Sequence, residues 1–197
     1  MLFRSPKLKY LAYGTSITQG INATSSDLTY VKQVAWRLGT DVINLGAMGS
    51  AYCEKEIADY IASRKDWDFA SFCVSANMLN QGVSAEDFFH AAKYFIYTVA
   101  KSNPTKPIIC ISLFTTLSDL GYVWPGRKPK TTSNEYRKIL KRIVDSSKLS
   151  NLYYVDGTQL LKSHYGLCQD LLHPGNNGMI EIGENLSNFI KSLLNLY

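Results

Sequence analysis

The sequence predicts an α/β fold in which helices cover both faces of a parallel β-sheet, and three observations predict it. Short apolar runs alternate with helical patterns from one end of the chain to the other. Most of those runs are apolar at successive positions, which suits strands covered on both faces better than the in-and-out alternation of a half-exposed sheet. The chain has 197 residues, 46% hydrophobic and 19% charged, which is enough apolar side chain for a core at a length near the usual ~100–200 residues of one domain. Residues 1–197 therefore read as a single domain without a linker, internal repeat or low-complexity tail.

Taken in order, Leu8–Tyr13 is the first strand, and Asp27 is a good N-cap for a helix over 27–38. Asp41–Leu45 is the second strand, a helix follows over 53–64, and Phe69–Val74 is the third strand. Ser84-Ala85-Glu86-Asp87 forms a capping box, after which Phe88, Ala91, Ala92, Phe95, Ile96 and Val99 make a core-facing stripe along a helix over 85–102. Pro107–Phe114 is the fourth strand, and a helix over 131–148 carries the basic group Arg137–Arg142 on its water-facing side. Leu152–Val155 is the fifth strand, before a helix over 177–195. Right-handed crossovers between such strands give a three-layer α/β/α sandwich, and a five-stranded parallel sheet fits the flavodoxin-like order.

Charge and composition exclude several classes of function. The net charge of +5 comes from 21 basic and 16 acidic residues, scattered apart from Arg127–Lys130 and Arg137–Arg142, which is a solvated surface and not a nucleic-acid footprint. The segment MLFRSPKLKYLAYG holds no signal-peptide core, and no window approaches the ~18 apolar residues of a membrane helix. A cytoplasmic protein is expected, with no membrane partner. Cys53, Cys73, Cys110 and Cys168 form no CxxC pair and read as buried or idle thiols in a reducing compartment.

In a sheet of this kind the ligand sits outside the carboxyl ends of the strands. After the first strand comes Tyr13-Gly14-Thr15-Ser16-Ile17-Thr18-Gln19-Gly20, where two glycines flank a hydroxyl cluster. Such a junction can project Ser16, with N–H groups at a helix start favouring negative charge on a reacting oxygen, or it can be an ordinary Ser/Thr turn. After the second strand, Gly49 offers an N–H to the same space or simply permits a turn. After the third, Asn77 aims an amide at that space or bonds its own backbone. Near the C-terminus lies Asp170-Leu171-Leu172-His173-Pro174. An acid three residues before a histidine can accept the ring Nδ1–H and leave Nε2 free to face a serine. The alternatives are a pair anchoring the last helix, or a partial metal site with Cys168. With only three histidines, and His90 and His164 in unrelated contexts, a metal is not expected.

These blocks together resemble the SGNH hydrolases, also called GDSL esterases and lipases, over nearly the whole chain. Gly14-Thr15-Ser16-Ile17-Thr18 is similar to the family's first block with its nucleophile. Gly49 and Asn77 match its two further oxyanion donors, beside the Ser16 N–H, and Asp170 to His173 matches its D-x-x-H block. The wording looks closest to a bacterial branch of lipases and acylhydrolases. Two departures stand out: Thr15 replaces the usual aspartate, and Ser75-Ala76-Asn77-Met78 stands where many members have Gly-x-Asn-Asp.

The resemblance implies a serine esterase or acylhydrolase in which His173 activates Ser16, Asp170 orients the ring, and an acyl-enzyme is hydrolysed by water. It implies neither a metal nor an organic cofactor. The expected substrate is a small-molecule ester with a small acyl group, acetyl above all, on a carbohydrate or similar alcohol. Thr15, Met78 and Trp124 are candidate substrate contacts, the last in the rim segment Leu120–Pro129. Competing readings are a lipase or thioesterase of longer acyl chains, and a non-catalytic carbohydrate- or nucleotide-binding domain. The non-catalytic one would have lost Ser16 or His173, or would need a G-x-G-x-x-G cradle, which does not follow the first strand. A homo-oligomer is left open.

Overall fold

The computed structural model describes residues 8–195, so the reading of the N-terminal segment falls partly outside the described residues. The strands are β1 (Lys9–Gly14), β2 (Asp41–Gly46), β3 (Phe69–Cys73), β4 (Ile108–Ile111) and β5 (Leu152–Val155). The helices are α1 (Ser16–Gln19), α2 (Tyr30–Leu38), α3 (Lys55–Ser63), α4 (Ala76–Asn80), α5 (Ala85–Ser102), α6 (Ser133–Asp145), α7 (Gly157–Leu160) and α8 (Asn176–Leu194). Short 3₁₀ turns occupy Ser26–Leu28, Leu117–Leu120 and His164–Gly166. Every neighbouring strand pair is parallel, in the order β2-β1-β3-β4-β5. From β1 the chain steps outward to β2 and then back across to β3, so the carboxyl ends of β1 and β3 flank a topological switch point.

Side-chain alternation explains the continuous apolar runs. Leu11, Tyr13, Ala70, Phe72, Ile108 and Cys110 point to the layer of α3, α5 and α6. Tyr10, Ala12, Phe69, Ile109 and Ile111 point to the opposite layer, where α2 packs on α8. Both faces are covered, so both sets must be apolar. Among the described residues no helix is long and apolar enough to cross a membrane. Cys53, Cys73 and Cys110 are buried and Cys168 half-buried, all four free. Burial pushes the Cys73 thiol up to about 12 against an opposing hydrogen bond from Thr18, which leaves it inert.

Two local expectations are corrected. Ser84 does cap α5, accepting the Asp87 N–H at 3.1 Å, but Asp27 does not cap α2. Thr29 does so instead, in extended conformation with its hydroxyl accepting the Lys32 N–H at 3.3 Å, and Asp27 lies in the preceding 3₁₀ turn. The buried face Tyr30, Val31, Val34 and Ala35 begins only at Tyr30, which fixes where the helix starts. Arg137, in turn, does not face water. It is 7% exposed, and its Nη1 and Nη2 donate to both carboxylate oxygens of Asp119 at 2.6 and 2.9 Å. Nε and Nη2 also donate to the carbonyls of Leu113 and Phe114 at 2.9 and 2.8 Å. Those carbonyls follow the end of β4, and the planar fork of arginine reaches carbonyl and carboxylate together. Lys138, Lys141 and Arg142 are exposed as expected.

Candidate functional site

The first strand turns into α1 with almost no room to spare. A Cβ at Gly14 would lie 2.1 Å from the Thr18 hydroxyl, and one at Gly46 of β2 would lie 2.3 Å from the Gln19 nitrogen. Only glycine lets α1 sit against the ends of both strands. Thr15 is the N-cap, 1% exposed, its hydroxyl accepting the Ile17 N–H at 3.4 Å. The side chain expected to touch substrate is thus engaged in shaping the turn. Ser16 is the first residue of α1, so its N–H has no partner within the helix.

At the other end of the chain, Asp170–His173 folds into a loop closed by the Cys168 N–H donating to the His173 carbonyl at 2.8 Å. The result is a relay: Ser16 Oγ lies 2.8 Å from His173 Nε2, and His173 Nδ1 lies 2.7 Å from Asp170 Oδ2. Oδ1 of Asp170 accepts the N–H groups of His173 and Leu172 at 2.9 and 3.1 Å. Burial pushes this carboxyl up, but those two N–H groups and the His173 ring outweigh burial and hold it below the ordinary aspartate value. An ionised carboxylate only accepts, which puts the proton on Nδ1 and leaves Nε2 to accept from the Ser16 hydroxyl.

Gly49 is exposed at φ +72°, and its N–H makes no hydrogen bond among the described residues. Its loop is held from below: Asn44 donates to the Thr18 carbonyl at 2.9 Å and accepts the Gly46 N–H at 2.8 Å, while Gln19 accepts the Met48 N–H at 2.6 Å. Asn77, the second residue of α4, gives one amide hydrogen to the Ser50 carbonyl at 2.7 Å, which ties α4 to the Gly49 loop and leaves its second amide hydrogen free. Ser75, just before α4, sits at φ +152°, a conformation that suits glycine and costs any other residue on the order of 1 kcal/mol or more. Ser75→Gly is therefore expected to raise stability by about 1 kcal/mol, read as a higher midpoint in urea at unchanged slope.

One residue escaped the sequence reading. Asn22 donates to Asp170 Oδ2 at 3.0 Å from a backbone at φ +70°, and beside it Thr24 and Asn176 bond reciprocally at 3.0 and 2.9 Å. The only signal available was an asparagine two residues after Gly20, which reads as a turn. Asn22→Ala should lower kcat by roughly fivefold with KM little changed, since an exposed hydrogen bond to a charged group contributes about 1 kcal/mol. An unchanged kcat would remove Asn22 from the site.

Met78, a candidate substrate contact, is 3% exposed, and its side chain packs into the core cluster beneath α5. α4 turns that side chain inward as it brings Asn77 to the sheet edge. Trp124 lines a cavity of about 390 Å³ with Leu79, Asn80, Lys130 and Ser133, next to the site and without Ser16 or His173 in its wall. Among the described residues no three His, Cys, Asp or Glu side chains converge as a metal site.

The model of the GDSL-like lipase/acylhydrolase family matches residues 8–191. A salicylyl-acyltransferase from a tetracycline biosynthetic pathway superimposes with a TM-score of 0.81 at 21% identity, over 98% of this chain and 56% of that one. A Bacteroides ovatus protein named as a GDSL-like lipase gives 0.81 at 23% identity, over 98% and 55%. The chain thus spans about half the length of these two structures. A carbohydrate acetylesterase family member from Sinorhizobium meliloti matches at both lengths, 96% of this chain and 100% of that one, with a TM-score of 0.74 at 16% identity. Comparison with curated proteins by sequence gives no match.

Proposed function

Since the chain belongs to the GDSL-like lipase/acylhydrolase family, we propose that it hydrolyses an ester of a small acyl group, acetyl above all, on a carbohydrate or similar alcohol, through an acyl-enzyme on Ser16. The observation that carries this reading is the relay from Asp170 through His173 to Ser16 at the sheet's switch point. His173 Nε2 takes the Ser16 proton as the oxygen attacks the ester carbonyl. The imidazolium then returns that proton to the departing alcohol, and water activated by the same nitrogen releases the acid. The N–H groups of Ser16 and Gly49 and the free amide hydrogen of Asn77 would receive the negative charge on the carbonyl oxygen.

Support for a carbohydrate comes from the Sinorhizobium meliloti structure and from the edge-on pair Tyr122 and Trp124, 5.3 Å apart beside the neighbouring cavity, a surface suited to a sugar ring. The test is hydrolysis of p-nitrophenyl acetate, butyrate and octanoate, with a peracetylated sugar as a fourth substrate. Acetate is expected to be cleaved with the highest kcat/KM. A preference for octanoate would overturn the small acyl group and favour a lipase. Silence on every ester, together with no labelling of Ser16 by a fluorophosphonate, would overturn the hydrolase itself.

A further inference from the structure

The cavity of about 390 Å³ beside the site has a one-sided chemistry. Its wall includes Arg127 and Lys130 and no aspartate or glutamate. The indole Nε1 of Trp124 and the hydroxyl of Ser133 are buried there without a hydrogen-bond partner, and Ser133 is 3% exposed. Ser133 is also the first residue of the 13-residue α6, whose N-cap Thr132 spends its hydroxyl on the Glu135 N–H at 3.2 Å. That leaves the backbone N–H groups of Ser133 and Asn134 unpaired, at the positive end of the helix. An indole N–H, a hydroxyl, a guanidinium, an ammonium and a helix start are all able to donate, and buried donors left unpaired are costly.

From these groups we infer that the cavity binds an oxyanion, a carboxylate or phosphate, carried by the alcohol half of the ester. This rests on the reading of the site as a small-acyl esterase. The cavity begins at Leu79 and Asn80, two and three residues beyond Asn77 and so about 3–4.5 Å further along α4. An acetyl group is too short to extend there from the carbonyl, so the charge belongs to the alcohol. The loop bearing Trp124 and Arg127 packs closely on Gly82, at φ +72°, where a Cβ would meet the Lys128 carbonyl at 2.6 Å. Substrates of the class predicted are acyl esters of sugar acids or of sugar phosphates.

Calorimetric titration of the wild-type protein with D-glucuronate, D-glucose 6-phosphate and D-glucose tests this directly. At least one of the two anions is expected to bind about tenfold or more tightly than glucose, since each bond to a charged group is worth that much, and the stronger of the two identifies the source of the charge. Binding should weaken with added salt, and Ser133→Ala and the double variant Arg127→Ala/Lys130→Ala should each weaken it about tenfold with unchanged circular dichroism. Glucose binding as well as the anions, or anion binding unaffected in the double variant, would overturn the inference. Because no ester is used, the two outcomes are distinguishable: a protein that cleaves p-nitrophenyl acetate but binds neither anion refutes only the anion site, and one that binds an anion but cleaves nothing refutes the reaction, and with it the alcohol half as carrier of the charge, while the anion site stands.

Discussion

Ser16→Ala is expected to lower kcat on p-nitrophenyl acetate by at least about four orders of magnitude while leaving the melting temperature within roughly 4 °C of wild type. In the proposed mechanism the hydroxyl forms the covalent bond, and nothing else in the relay can replace it: His173 Nε2 is 2.8 Å from Oγ and would be left facing the substrate without a nucleophile. The fold has little to lose, because a single hydrogen bond at the edge of the site disappears and no cavity larger than an oxygen opens. Hydrolysis above the rate in water is still expected, since the N–H groups that would hold the oxyanion are untouched. His173→Ala should fall by a similar factor, and the double variant by little more, because the two groups act as one unit. A Ser16→Ala protein with wild-type turnover would remove Ser16 as nucleophile.

The largest loss of stability is expected from Arg137→Met. The guanidinium satisfies both oxygens of Asp119 and two carbonyls after β4, and it is almost entirely removed from water. Taking it away leaves a carboxylate whose side chain is only 21% exposed without its counter-ion, together with two carbonyls short of a donor. Breaking such a pair costs about 3 kcal/mol, at the low end for buried pairs because Asp119 keeps some water contact, so the melting temperature should drop by roughly 6–12 °C. The control is Arg137→Met with Asp119→Asn, which removes the orphaned charge and should recover part of the loss. A single variant as stable as wild type would mean that the pair contributes only at the surface level of a solvated ion pair.

The contrast between these two residues marks what a single sequence can reveal. Ser16, Asp170 and His173 were legible because their signals are local: a glycine-flanked hydroxyl after a strand, and an acid three residues before a histidine. The sheet was legible because strands covered on both faces must be apolar at successive positions, as in Tyr10 through Tyr13. Arg137 was not, since hydropathy assigns every arginine to water, and only the geometry of the carbonyls after β4 makes the inward position favourable. Asn22 was hidden for another reason. Its partner Asp170 is 148 residues away, and an asparagine after a glycine looks the same whether or not it holds a carboxylate. The burial of Met78 was hidden because a motif aligns positions without saying which way a short helix turns each side chain.

The contacts in and around the relay join parts of the chain that are distant in sequence: 157 residues separate Ser16 from His173, and 152 separate Thr24 from Asn176. Closing such long loops is slow relative to forming contacts nearer in sequence, such as those of Trp67 with the layer of α3 and α5. During refolding from urea, burial of that indole should therefore precede the return of ester hydrolysis. Regained activity would time the docking of α8 onto α2.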